Sequence, residues 1–291
     1  MAIAGLTIIG ESINDSVPST AKIFEANDLA GIQALAKKQD AGGAAYIDVN
    51  VGRRSPEFMA KIVKLVQEVT SKPLSIDSPD FDLAKAGLEA YDPKRAGGQK
   101  PVLNSISPLR LQLFDLYQVR PFKPVLMVSE MLDAKGDGKP CETAEEIYQA
   151  AKSMMKAVRD SGHRFPNEDC IIDPAISPIG SDTQGHTKRL LKVLEMLKND
   201  PEFKGVHRSV GLSNFTVMLP SKRPGGEPVK GPLESALLTK AMPLGLDMII
   251  GSTGRNYELL KPDHPAMVCL EEVLKLDAFD ALMRLQEFYS A

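Results

Sequence analysis

The stretch YIDVNVGRRSPEFMAKIVKLVQEVT, Tyr46 to Thr70, contains the repeating unit of the chain. Tyr46 to Val51 is a short β-branched run in which Ile47, Val49 and Val51 share one strand face and Asp48 and Asn50 the other. From Pro56 to Thr70 the spacing changes. Phe58, Ile62, Leu65 and Val66 recur with the period of a helix that buries one side. A strand followed by a covering helix is the βα unit of a parallel sheet.

Working outward, comparable apolar runs occur at Leu6 to Glu11, Pro73 to Ser78, Pro101 to Ser105, Pro124 to Ser129, Cys170 to Ile176, Ser209 to Asn214 and Met248 to Ser252. Amphipathic segments lie between most of them. They are Leu29 to Gly42, Thr143 to Ser161, His186 to Asn199, Leu233 to Pro243 and Pro265 to Leu276. Thr143 with Glu146 three residues on predicts a capping box, and Met154 and Met155 read as helix packing. Eight strand-like runs of this kind predict a single-domain (β/α)₈ TIM barrel over residues 1–291. An open dinucleotide-binding sheet is disfavoured because no GxGxxG follows the first run. Met218 to Pro232 is too rich in Pro and Gly for a helix and reads as a long functional loop.

Composition narrows the function classes. The net charge is −3, from 35 Lys+Arg against 38 Asp+Glu, so there is no basic excess for nucleic acid. No apolar run reaches the roughly 20 residues of a membrane span. The first basic residue is Lys22, so Met1 to Gly10 reads as a first buried strand and not as a leader peptide. Cys141, Cys170 and Cys269 are sparse and far apart, which suits a reducing cytoplasm. His163, His186, His207 and His264 show no ligand spacing, and no bound metal is expected.

Barrel active sites are built at the C-terminal ends of the strands. Those ends carry Glu11, Ser12 and Asn14, then Asp48, Asn50 and Gly52, Asp77 and Ser78, Asn104 and Ser105, Ser129 and Glu130, Asp173, Ser213 and Asn214, and Ser252 and Arg255. Ser78, Ser105 and Ser213 read first as caps or turn formers. The Asn and Asp residues sit in apolar strand contexts, where an unpaired polar group is costly, so they call for mutual pairing or a ligand. Hydrogen-bonding groups of this kind suit a flat heterocycle such as a 2-amino-4-oxo pterin, whose N–H groups donate to carboxylates while its oxo group and ring nitrogens accept from amides. Gly251 to Gly254 with Arg255 offers a weaker, anion-binding alternative.

At these residues the sequence resembles the pterin-binding methyltransferases, which include the methyltetrahydrofolate:corrinoid protein methyltransferases and the folate domain of cobalamin-dependent methionine synthase. IIGESIN (Ile8 to Asn14) is similar to the family's IIGERIN, with Ser12 in place of Arg. DVNVG (Asp48 to Gly52), IDS (Ile76 to Ser78), LNS (Leu103 to Ser105), IDP (Ile172 to Pro174) and GLSN (Gly211 to Asn214) follow in order. The resemblance implies that Asp77, Asn104 and Asp173 hold the pterin, with Asn14 and Asn50 near it. Gly211 and Ser213 would shape the pocket, and Asn214 would reach N5 as the catalytic residue. It further implies tetrahydrofolate or 5-methyltetrahydrofolate as substrate, and a homodimer. Because no DxHxxG cobalamin signature is present, the cobalamin would be carried by a separate corrinoid protein. Dihydropteroate synthases, the other large branch, expect a GxSRK-like stretch where this chain reads GLSNFT. A dihydropteroate synthase-like transferase and a non-catalytic folate-binding barrel are the rival expectations. Lys222, Arg223 and Lys230 are candidates to meet a folate tail or a partner protein.

Overall fold

The computed structural model describes residues 3–290, so Met1 and Ala2 of the expected first strand lie outside it. In chain order the strands are β1 (Thr7–Asn14), β2 (Tyr46–Asn50), β3 (Leu74–Asp77), β4 (Val102–Ile106), β5 (Lys123–Met127), β6 (Glu130–Leu132), β7 (Gly138–Pro140), β8 (Ile171–Asp173), β9 (His207–Arg208) and β10 (Met248–Gly251). The helices are α1 (Pro18–Glu25), α2 (Leu29–Ala41), α3 (Pro56–Gln67), α4 (Phe81–Ala90), α5 (Ala144–Asp160), α6 (His186–Asn199), α7 (Leu212–Phe215), α8 (Lys230–Ala241), α9 (Pro265–Val273) and α10 (Ala278–Ser290).

Eight strands form one parallel sheet in the order β10-β1-β2-β3-β4-β5-β8-β9, while β6 and β7 make a separate antiparallel hairpin. A parallel bridge between Gly211 and Ile250, with Ile250 N donating to Val210 O at 3.0 Å, joins the two ends of the order. The sheet is therefore a nearly closed barrel, as the repeating unit predicts.

Why the polar groups collect at one end follows from the strands themselves. Ile9, Tyr46, Val102, Val125, Ile171 and Met248 pack together inside the barrel. Most of them stand near the starts of their strands, so the lower barrel is an apolar plug. The polar residues at the C-terminal ends sit above it. Outside, the buried faces of α2, α3, α5 and α6 cover the sheet with residues such as Ile32, Ile62, Met154 and Val193. Met154 and Met155 are packed in this layer. The capping box forms: Glu146 N donates to Thr143 Oγ1 at 3.1 Å, and Thr143 N donates to Glu146 Oε2 at 3.3 Å.

Four local features differ from the sequence reading. The seventh barrel strand is shorter than Ser209 to Asn214. The ladder holds His207–Arg208, the extended chain runs on to Val210, and Leu212–Phe215 coils into α7. The run Cys170 to Ile176 stops at Asp173, because Pro174 follows and Ala175 turns into the left-handed region at φ 61°. The loop from Met218 ends at Val229, since Lys230, Gly231 and Pro232 already form the first turn of α8. A proline in a first helical turn loses no hydrogen bond, so its presence did not exclude helix there. Finally, α1, α4 and α10 were not anticipated, and β4 is followed by a 3₁₀ segment at Leu111–Gln118 in place of an α-helix. Among the described residues no helix is long and apolar enough to cross a membrane.

Candidate active site at the barrel mouth

The C-terminal ends of the strands surround a cleft of about 660 Å³. Asn14, Asp77, Asn104, Asp173, Gly211, Ser213 and Asn214 all line it. Asn50 does not. It stands beside Asp77, donating from Nδ2 to Asp77 Oδ2 at 2.9 Å while its Oδ1 accepts from Gly52 N at 2.9 Å. Asn50 thus fixes one oxygen of a cleft carboxylate. Asn14 Oδ1 accepts from Ser16 N at 2.9 Å and from Ser16 Oγ at 2.7 Å, which holds the turn out of β1. Ser78 is a turn former as read, accepting from Asp80 N at 3.2 Å.

The carboxyl groups are perturbed by burial. Asp173 is 4% exposed, and removal from water pushes its carboxyl up to about 7, against a single opposing hydrogen bond from Ala175 N at 2.7 Å. Asp77 is also raised by burial, with Asn50 pulling the other way. Asp48, two residues below Asn50 on the same face, is fully buried, and neither of its oxygens has a hydrogen-bond partner. Burial, first, and then the nearby Asp77 charge raise its carboxyl well above the usual carboxylate range. Glu11 lines the cleft too. Its burial raises it, while the Ser213 hydroxyl and the Arg255 charge oppose the rise.

The segment that presents Asn214 is held from two sides. The Ser213 hydroxyl donates to Glu11 on β1, and the Thr216 hydroxyl donates to Glu234 on α8. Glu234 is fully buried and ion-pairs with Arg255, so the anion-binding role considered for Arg255 competes with a carboxylate already at its guanidinium. Gly211 is required for a close approach: a Cβ there would lie 2.9 Å from Asn214 Nδ2. The Asn214 amide therefore folds back over residue 211 and into the cleft.

The long loop is tied together by its own backbone. Arg223 N donates to Glu227 O at 2.9 Å, and Val229 N donates to Ser221 O at 3.1 Å, making a tight turn. The Arg223 guanidinium sits 4.0 Å from the centre of the Phe288 ring on α10. Lys222, Arg223 and Lys230 do not line the cleft.

Three site residues escaped sequence reasoning as site residues. Glu11 was visible at a strand end. Glu234 carried a signal, as the sole charge between Leu233 and Leu238 in an apolar helix. Arg110 had none, because it follows β4 in a segment with no regular period. Among the described residues no group of three or more His, Cys, Asp or Glu is arranged to hold a metal ion. The three cysteines are buried and free, and burial pushes Cys170 up to about 12, which makes it a packing residue.

Comparison with known proteins identifies the family of the chain. The chain is 28% identical over 228 residues to the methylcorrinoid:tetrahydrofolate methyltransferase of Eubacterium limosum, a match covering 75% of this chain and 77% of that protein. Among solved structures, the dihydropteroate synthase of Xanthomonas albilineans with 4-aminobenzoic acid superimposes with a TM-score of 0.57 at 14% identity, covering 93% of this chain and 91% of that one. The 7,8-dihydropteroate synthase of Vibrio fischeri gives a TM-score of 0.56 at 15% identity, covering 86% and 88%. At such identities the likeness is one of fold alone. The pterin binding enzyme family matches residues 13–251, from the end of the first barrel strand through the last, and the chain belongs to that family.

Proposed function

We propose that this barrel transfers a methyl group between N5 of tetrahydrofolate and the cobalt of a corrinoid held by a separate protein. The observation that carries the reading is the anchored Asn214 amide, aimed into the same cleft as Asp77, Asn104 and Asp173. The named activity of the Eubacterium limosum relative supports it. The rival synthase reading shares the fold, but GLSNFT offers no lysine where that chemistry expects one.

In this reading Asp77 and Asp173 accept the N–H groups of the pterin edge, Asn104 pairs with its remaining polar edge, and Asn50 orients Asp77. Toward folate, N5 of tetrahydrofolate gives up its proton and takes the methyl group, and the cobalt keeps the electron pair of the broken Co–C bond. In reverse, the N5–C bond breaks and N5 recovers a proton. An asparagine suits both directions, because its amide presents a donor and, after rotation, an acceptor. Dimerisation, implied by the family resemblance, remains part of the proposal.

The Asp173 carboxyl supplies a pH test. It accepts from the pterin only when ionised, so binding releases a proton wherever the free protein holds one. Folate affinity should fall by up to about tenfold per pH unit below about 7 and level off above it. The stability of the free protein runs oppositely in sign. The folded state keeps a proton that the unfolded chain loses, so this group makes stability fall as pH rises from about 3.8 to about 7. Calorimetric folate titrations at pH 6 and 8, in buffers of different ionisation heat, measure the released proton. A pH-independent affinity without proton release means that Asp173 does not accept from the ligand.

The partner is testable in the same way. A chain that leaves its corrinoid to another protein should use a corrinoid-loaded protein with a much higher kcat/KM than free methylcobalamin. Equal values would argue against a dedicated partner. Shortening the Ser221 to Val229 turn tests whether that partner docks beside the loop: an unchanged partner-dependent rate moves the docking site elsewhere.

A further inference from the structure

The cleft carries carboxyl groups on β1, β3 and β8, yet among the described residues a single Lys or Arg lines it, Arg110. Its base is fixed. Arg110 N donates to Ser107 O at 2.9 Å, and Leu109 N donates to Oγ of the fully buried Ser107 at 3.3 Å, just beyond the strand that presents Asn104. Its guanidinium is not engaged. Nε is buried without a partner, and among the described residues no carboxylate stands within ion-pair distance. Arg54, Arg159, Arg255 and Arg284 each have such a partner. Arg110 therefore brings a planar fork of donors to the cleft wall, with no side-chain acceptor for it among the described residues. Leu109 and Leu111 on either side of it are 49% and 40% exposed, an apolar flank at the cleft rim.

A pterin ring does not need a cation, since its recognition edge is a donor edge that calls for carboxylates. A guanidinium fork matches a carboxylate. The folate substrate has one at the far end from the pterin, on the glutamate joined through an aminobenzoyl ring. Lys222 and Arg223 of the long loop and Lys230 at the start of α8 are placed elsewhere: Arg223 lies on Phe288, Lys230 reaches Val217 O at 3.3 Å, and neither they nor Lys222 line the cleft.

We propose that Arg110 binds the glutamate carboxylate of the folate, so that the cleft selects tailed folates over bare reduced pterins. The inference rests on the folate reading above, and it assigns the tail to the β4 side of the mouth. The competing role for Arg110 is a general counter-charge to Glu11, Asp77 and Asp173, and the two roles predict different selectivity.

The test is calorimetric binding of tetrahydrofolate and of 6-methyltetrahydropterin, which has no tail, to the wild-type protein, Arg110→Gln and Arg110→Lys. Arg110→Gln should weaken tetrahydrofolate by about tenfold, the loss of one charge-assisted pair. It should change the pterin by less than about twofold, because a tail contact is independent of the ring contacts. Arg110→Lys should fall between, keeping the charge and losing the fork. Tetrahydrofolate with its glutamate carboxylates amidated, tested on the wild-type protein, should show the same loss, which keeps the proposal open to refutation even if a variant misfolds. Equal weakening of both probes establishes the counter-charge role and overturns the proposal, as does unchanged binding of both. A wild-type protein that binds neither probe refutes the folate reading itself, a result distinct from either.

Discussion

Asn214→Ala is expected to lower kcat for methyl transfer by about a hundredfold, the scale of losing one preorganised hydrogen-bond donor at a site of developing charge. Folate affinity should change much less. The charge on N5 develops as the methyl group leaves, so this contact is stronger in the transition state than in the bound substrate. The structure adds a second way to make the same measurement. Gly211→Ala would place a methyl group where the Asn214 amide now lies, 2.9 Å from Nδ2. The amide end of a side chain can rotate away, so the variant should fold normally and still lose rate. Single-turnover kinetics at saturating folate separate the possibilities. A loss of affinity with an unchanged chemical rate makes Asn214 a binding residue and refutes its catalytic role. If neither parameter changes, the GLSN segment does not form the reacting end of the site.

Asp77→Ala and Asp173→Ala should each weaken folate binding by about ten- to a hundredfold, since a hydrogen bond to a charged group contributes roughly 1.5–3 kcal/mol. The two variants should differ in their side effects. Removing Asp77 leaves the Asn50 amide without its acceptor and removes a charge that raises the Asp48 carboxyl. Removing Asp173 frees the Ala175 amide, whose backbone is in the left-handed region at φ 61°, so the turn after β8 should loosen as well. Isothermal titration on variants that keep their far-ultraviolet circular dichroism measures the effect. Unchanged affinity in both would take these carboxylates out of the pterin contact.

The barrel was legible in the sequence because each strand is an apolar run ended by a polar residue and a turn. Those endings, from Glu11 to Asn214, also identified most of the polar residues that line the cleft. What stayed hidden has specific physical causes. GLSN reads as strand because Leu212 continues the apolar run of Val210, yet from Leu212 the chain folds back on itself as α7, where Thr216 is tied to Glu234. Asn50 shares a strand face with Asp48, and strand parity alone cannot show that it turns sideways to Asp77 rather than into the cleft. Helix α4 is capped by Asp80, whose side chain accepts from Asp82 N and Leu83 N, but half of its apolar stripe of Leu83, Ala84, Gly87 and Leu88 is small residues with little periodic signal. Glu234 is paired with Arg255, 21 positions along the chain, a distance over which no local pattern operates.

The most direct test of the central claim is to mix the protein with tetrahydrofolate and a methylated corrinoid protein and follow the corrinoid spectrum anaerobically. The account predicts that methylcorrinoid absorbance is lost in step with the appearance of 5-methyltetrahydrofolate, and that Asn214→Ala slows both equally. Tight folate binding with no loss of methylcorrinoid absorbance, with every corrinoid protein and free methylcobalamin tried, would contradict it and leave a folate-binding barrel without this chemistry.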